Sequence, residues 1–126
     1  MTGVKYLLDT NIILGLLKSD EKVAVLLRDL DPKTGECGYS GITRMELLGY
    51  PGITVAEATV IAEALSAMVY LPVTRAVEDT AIKVRQTTRL KLPDAIICAT
   101  AIVHNVELLT FDTQLDKAFK ALPAQP

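Results

Sequence analysis

Short apolar runs alternate along the chain with segments in which apolar residues recur every three or four positions. Runs that are apolar throughout are typical of strands buried on both faces, and the wider spacing is typical of amphipathic helices. Strands that are separated by helices are joined by crossovers and lie parallel. We therefore predict a three-layer α/β fold with a mainly parallel central sheet flanked by helices. The predicted strands are residues 4–8, 37–40, 70–73 and 106–109, and the predicted helices are residues 12–17, 23–30, 42–48, 58–68, 77–84, 95–103 and 115–119.

The length of 126 residues, half of them hydrophobic, predicts a single domain over residues 1–126 with one hydrophobic core. The N-terminus has no signal-peptide layout, and no apolar run approaches the ~20 residues that span a bilayer. We expect a cytoplasmic protein with no membrane contact. With two cysteines and one histidine, the chain can build neither a disulfide scaffold nor a zinc site of Cys and His.

Four acidic residues stand where a parallel α/β fold places its chemistry. Asp9 and Asp112 follow the first and the last predicted strand, Asp94 begins the most apolar helix, and Glu46 lies in the short helix after Ser40. Ligand sites in such folds form outside the carboxyl ends of the strands. Carboxylates gathered there repel each other unless a cation joins them, and oxygen donors suit Mg²⁺ or Mn²⁺. The pattern predicts a Mg²⁺ or Mn²⁺ site formed by the four acids.

Each acid also has a purely structural interpretation. Asp9 and Asp112 could cap the helices that follow them, and Asp94 suits the positive end of a helix dipole. Thr43 and Glu46 have the spacing of a capping box. The sequence leaves both interpretations open for any one acid, but three of the four border buried apolar elements, where an unpaired charge is costly.

A basic run precedes Asp94. The formal net charge of −2 argues against a nucleic-acid binder, yet a local patch can hold phosphates on an acidic domain. A solvated helix face is the alternative interpretation. The residues of this basic run, which we treat as a candidate RNA-binding surface, are Lys83, Arg85, Arg89 and Lys91.

Four blocks of sequence, in a fixed order, resemble the PIN-domain family and, within it, the VapC-type toxins of toxin–antitoxin pairs. The resemblance spans nearly the whole chain, and four ordered blocks are far more specific than a lone Asp-Thr-Asn. The blocks are residues 7–11 (LLDTN), 40–47 (SGITRMEL), 93–101 (PDAIICATA) and 108–112 (LLTFD).

The resemblance implies that Asp9, Glu46, Asp94 and Asp112 form a metal-binding catalytic group of a ribonuclease. It further implies hydrogen-bonding support from Thr110 and Asn11, an antitoxin protein as partner, and a homodimer. The chain departs from the family in having Leu115 where an aromatic residue is frequent and Asn105 near a frequent glycine, and neither departure removes an acid.

Other functions are compatible with part of this pattern. A non-catalytic RNA-binding module could keep the fold, and a housekeeping nuclease could work without an antitoxin. A receiver domain would need paired acids at the first strand and a lysine after a late strand, which the chain lacks. A phosphatase with an aspartyl nucleophile would need a second acid at the position of Asn11.

Overall fold

The computed structural model describes residues 3–122, in which four short strands alternate with seven helices. Every predicted strand and helix corresponds to one of these elements, so the predicted α/β class is confirmed. The strands are β1 (Tyr6–Leu8), β2 (Cys37–Ser40), β3 (Val69–Leu71) and β4 (Glu107–Leu109). The helices are α1 (Thr10–Leu17), α2 (Glu21–Leu30), α3 (Gly41–Leu48), α4 (Val55–Ser66), α5 (Arg75–Thr87), α6 (Leu92–His104) and α7 (Thr113–Ala121).

The four strands form one sheet in the order β3-β2-β1-β4, and every pair of neighbours is parallel. In the register of the sheet, Leu8 lies opposite Leu109, and Ser40 lies opposite Leu71. The last residues of the strands therefore meet at a single edge of the sheet. The segments that leave this edge are the starts of α1, α3 and α7 and the turn before α5.

Helices cover both faces of the sheet because side chains alternate along each strand. Leu7 and Leu108 pack into a cluster with the inner side of α6, whereas Leu8 and Leu109 pack into a second cluster with Ile13 of α1. Helix α6 is buried over most of its circumference, as its apolar sequence predicts. The result is the predicted three-layer arrangement of helix, sheet and helix.

Differences from the predicted boundaries have local causes. Strand β3 covers 69–71 instead of 70–73, in keeping with the lack of an N–H in Pro72 to continue a ladder. Helix α4 begins before residue 58 because Thr54 and Glu57 form a capping box, with hydrogen bonds of 3.1 and 3.0 Å. Asn105 caps the C-terminus of α6 in the left-handed conformation, at φ 54°, which asparagine tolerates better than most residues do.

Within residues 3–122, no helix combines the length and the apolar character that crossing a membrane requires.

Candidate active site

The four predicted acids all lie at the carboxyl edge of the sheet. Asp9 is the residue between β1 and α1, and Asp112 is the residue before α7. Glu46 is on α3, which directly follows β2, and Asp94 is in the first turn of α6. Strands β1 and β4 place Asp9 next to the segment that leads to Asp112, because the N–H of Asp9 donates to the carbonyl of Leu109 at 3.0 Å.

Asp9 is the most enclosed of the four, with 4% of its surface exposed. Its Oδ2 accepts a hydrogen bond of 2.7 Å from the hydroxyl of Thr110. Burial raises the pKa of the Asp9 carboxyl, and the negative charges of Asp112 and Glu46 raise it further, against the hydrogen bond from Thr110. A carboxylate in this position is held in place while its charge remains poorly compensated.

Asp94 belongs to the same electrostatic site. Burial raises the pKa of its carboxyl, and Asp9, Asp112 and Glu46 each add to that rise. Lys91 acts in the opposite direction, and lowers the pKa of Asp94. The three other acids are therefore close enough for their charges to act on Asp94.

The oxygen donors of this edge suit a hard divalent cation. Across residues 3–122, no three side chains among the His, Cys, Asp and Glu residues approach closely enough to enclose a metal ion between them. Mg²⁺ does not need such a cage, because it binds through one or two carboxylates and keeps several of its waters. A cation would also relieve the repulsion that raises the pKa values of Asp9 and Asp94. The residues present fit Mg²⁺ or Mn²⁺.

The structural interpretations of the acids have different outcomes. Asp112 caps α7, with its Oδ1 accepting from the N–H groups of Gln114 and Leu115 at 2.9 and 3.1 Å. Its Oδ2 accepts no hydrogen bond from the described residues and is available to a ligand. Asp9 occupies the capping position of α1, but its side chain makes no capping hydrogen bond.

The capping-box interpretation of Glu46 is wrong. Ser40 caps α3 by accepting from the N–H of Ile42 at 3.3 Å, which leaves Glu46 well inside the helix. The Oε1 of Glu46 instead accepts a hydrogen bond of 2.8 Å from the hydroxyl of Thr10. Thr10 is also 2.9 Å, hydroxyl to hydroxyl, from Thr43.

Sequence reasoning did not identify Thr10 and Thr43 as residues of the site. A signal was present for Thr43, because it precedes Glu46 by three positions and so shares its face of α3. Thr10 gave no such signal, since its partner on α3 is 36 positions away in the chain.

The two predicted supporting residues differ in their contacts. Thr110 donates to Asp9, and its oxygen accepts from the N–H of Asp112 at 3.0 Å, so it ties two of the acids together. Asn11 is exposed, and its side chain makes no hydrogen bond to the described residues. It lines a cleft of about 480 Å³ that opens beside Glu46 and is also lined by Tyr50.

The basic run is exposed along its whole length. Lys83 and Arg85 lie on α5, Arg89 lies in the following loop, and Lys91 is the capping residue of α6. Within residues 3–122, none of these four side chains forms an ion pair or a hydrogen bond. Lys91 is the one whose charge acts on an acid of the site, namely Asp94.

Known proteins provide an independent comparison. The model of the PIN domain family matches residues 6–120. A chain of a toxin–antitoxin complex from Klebsiella pneumoniae is 30% identical, with a TM-score of 0.78 over 94% of this chain and 93% of that chain. No curated protein matches the chain.

Two further solved structures share the fold at lower identity. A chain of the DNA-bound VapBC complex from Salmonella typhimurium is 18% identical, with a TM-score of 0.77 over 97% of each chain. A chain of FitAcB from Neisseria gonorrhoeae is 22% identical, with a TM-score of 0.72 over 95% of this chain and 96% of that chain. The arrangement of strands and helices is thus common to chains with few identical residues.

Proposed function

Because the chain belongs to the PIN domain family, we propose that it is a metal-dependent endoribonuclease and the toxin of a toxin–antitoxin pair. The observation that carries this proposal is the placement of four acids at the carboxyl edge of the sheet, where Thr110 donates to Asp9 and accepts from the N–H of Asp112. The other three acids also raise the pKa of Asp94. A fold that needed these residues only as helix caps would have no reason to gather their charges.

In this proposal, Asp9, Glu46, Asp94 and Asp112 hold one or two Mg²⁺ or Mn²⁺ ions. A bound ion of this kind activates water and stabilises negative charge on a phosphoryl oxygen. The hydroxyl of Thr110 keeps the Asp9 carboxylate oriented, and the capping hydrogen bonds of Asp112 use only its Oδ1. Hydrolysis of the RNA phosphodiester leaves a 5′ phosphate and a 3′ hydroxyl.

The basic run binds the RNA backbone in this proposal. Lys91 is one helical turn or less from Asp94, and its charge already acts on that carboxyl. Phosphates that are held by Arg89 and Lys91 would therefore lie beside the acidic site. Asn11 contributes from the cleft beside Glu46, which gives room for a nucleotide or for a segment of a partner.

We also propose that the partner is an antitoxin protein, and that the toxin forms a homodimer and acts in the cytoplasm. The 30% identity to a chain of a toxin–antitoxin complex supports the antitoxin partner alone. An antitoxin can block the site by placing an arginine among the acids, because a guanidinium pairs with a carboxylate through two hydrogen bonds.

The test is inducible expression of the chain alone. We expect growth arrest, with new RNA 5′ ends across the transcriptome, and relief of the arrest by Asp9→Asn or by the product of the adjoining small reading frame. Normal growth with RNA cleavage that EDTA abolishes would instead identify a housekeeping nuclease. RNA binding without cleavage, with Mn²⁺ present, would identify a non-catalytic binding module.

A further inference from the structure

Two threonine hydroxyls, joined by a hydrogen bond, connect the interior of the protein with Glu46. Thr10, at the start of α1, lies between Glu46 and Thr43, with distances of 2.8 Å to Glu46 Oε1 and 2.9 Å to Thr43 Oγ1. Thr43 is fully buried, at 0% exposure, whereas Glu46 is exposed. The two hydrogen bonds thus connect a buried threonine with a glutamate, a long and flexible side chain, at the surface.

Counting protons gives the direction of both hydrogen bonds. A threonine hydroxyl has one proton to donate, and an ionised carboxylate can only accept. Thr10 therefore gives its proton to Glu46, and the proton between the two threonines comes from Thr43. The two hydrogen bonds run in one direction, from Thr43 through Thr10 to Glu46.

We propose that Thr10 and Thr43 are positioning residues, which hold the Glu46 carboxylate in the orientation that binds the metal ion. This inference rests on the proposed function. A free glutamate on a helix surface samples many rotamers, and fixing it on binding has an entropic cost. A hydrogen bond to Oε1 removes part of that freedom in advance and leaves Oε2 for the ion.

Neither threonine is needed for another purpose that the structure displays. Ser40 caps α3, so Thr43 is not its capping residue. Within residues 3–122, Thr10 is the only hydrogen-bond partner of the Thr43 side chain. A buried hydroxyl with one partner fixes the position of that partner, because leaving the hydroxyl unpaired costs free energy.

A second acid of the site, Asp9, also accepts a hydrogen bond from a threonine hydroxyl. Thr110 donates to Asp9 Oδ2 at 2.7 Å, just as Thr10 donates to Glu46 Oε1. In each of these two acids, one carboxylate oxygen accepts a hydrogen bond from a threonine hydroxyl. Two independent elements, α1 and the segment after β4, provide the two threonines.

The experiment is calorimetric titration of Mn²⁺ into the wild type, Thr10→Val, Thr10→Ser and Thr43→Val. We expect Thr10→Val to weaken Mn²⁺ binding about tenfold, the low end of the effect of losing a hydrogen-bond partner of a metal ligand. Thr10→Ser restores the hydroxyl and should bind as the wild type does. Thr59→Val is the control, because the Thr59 hydroxyl donates within α4, to the carbonyl of Val55 at 2.9 Å, and not to an acid of the site.

A double variant of Thr10 and Thr43 tests whether Thr43 acts on Glu46 through Thr10. Thr43 acts on Glu46 only through Thr10, so adding Thr43→Val to Thr10→Val should not weaken Mn²⁺ binding further. If the losses of Mn²⁺ affinity in the two single variants add up in the double variant, Thr43 does not act through Thr10. Equal losses in Thr10→Val and Thr10→Ser would overturn the role of the hydroxyl.

A measurement without metal completes the test. In EDTA, Thr10→Val should lower the melting temperature of the wild type more than that of Glu46→Ala, since the hydrogen bond exists only in the first background. If Asp94→Asn binds Mn²⁺ as tightly as the wild type, the proposed function itself fails. If Asp94→Asn loses binding while Thr10→Val keeps it, only the positioning role fails.

Discussion

The acidic edge of the sheet and the basic run at the end of α5 are both concentrations of like charge, but they differ in burial and in hydrogen bonding. Asp9 is 4% exposed and bound by Thr110, and its pKa is raised by burial and by its neighbours. Within the described part of the chain, the four basic side chains are exposed and make no hydrogen bond. Burying a charge without a partner destabilises a fold, whereas exposing a charge costs little. The burial of Asp9 among the charges of other acids therefore supports the proposed metal site, whereas the basic run requires a functional measurement.

The largest expected effect is on catalysis. Asp94→Asn should lower RNA cleavage by at least about 100-fold, because it removes one of the acids that we propose as ligands of the ion. Asp29→Asn, an exposed acid on α2, is the matched control and should cleave as the wild type does. The measurement is the initial rate on total RNA with Mn²⁺, and full activity of Asp94→Asn, or of the wild type in EDTA, would contradict it.

Metal binding gives the next largest effect. Mn²⁺ should raise the melting temperature of the wild type, because an ion that binds only the folded state stabilises it by mass action. Asp9→Asn and Asp94→Asn should each lose most of this shift, whereas Lys83→Ala should keep all of it. An equal shift of the melting temperature in all four proteins would mean that Asp9 and Asp94 do not bind the metal ion.

The strands and helices that bring the acids together could be predicted from the sequence. The hydrogen bonds that other residues make to the acids are seen only in the structure. Asp9 and Asp112 could be assigned to one edge because residues that follow parallel strands must meet there. The hydrogen bond from Thr10 to Glu46 could not be predicted, since it depends on how α1 packs against α3. Likewise, Ser40, rather than Thr43, proved to be the cap of α3, because β2 ends directly at that helix.

The third prediction concerns stability without metal. The pKa of Asp94 is raised in the folded protein by burial and by the other acids. As the pH rises from about 3.8, the unfolded chain loses this proton before the folded protein does, so the wild type loses stability across that window. Asp94→Asn cannot ionise, and in EDTA it should melt at a higher temperature than the wild type at pH 7.

That difference should shrink as the pH is lowered toward 4, where the wild-type carboxyl regains its proton, and saturating Mn²⁺ should reverse it at pH 7. The measurement is thermal unfolding at several pH values with and without Mn²⁺. A lower melting temperature for Asp94→Asn at pH 7 in EDTA would show that the carboxylate stabilises the fold, against the sign argued above.

The smallest expected effect belongs to the basic run. If Arg89 and Lys91 each contact one phosphate of single-stranded RNA, replacing both with alanine should reduce the slope of log K against log salt by about 1.4. Binding is best measured in the Asp94→Asn background, where the RNA stays intact. Lys22→Ala with Arg28→Ala removes the same charge from α2, which the proposal does not place in contact with RNA, and should leave the slope unchanged. The loss of affinity should be similar for all RNA sequences, since phosphate contacts carry no sequence information. If the slope is unchanged when Arg89 and Lys91 are replaced, the basic run is a solvated helix end. RNA would then have to bind near the acidic edge through other residues.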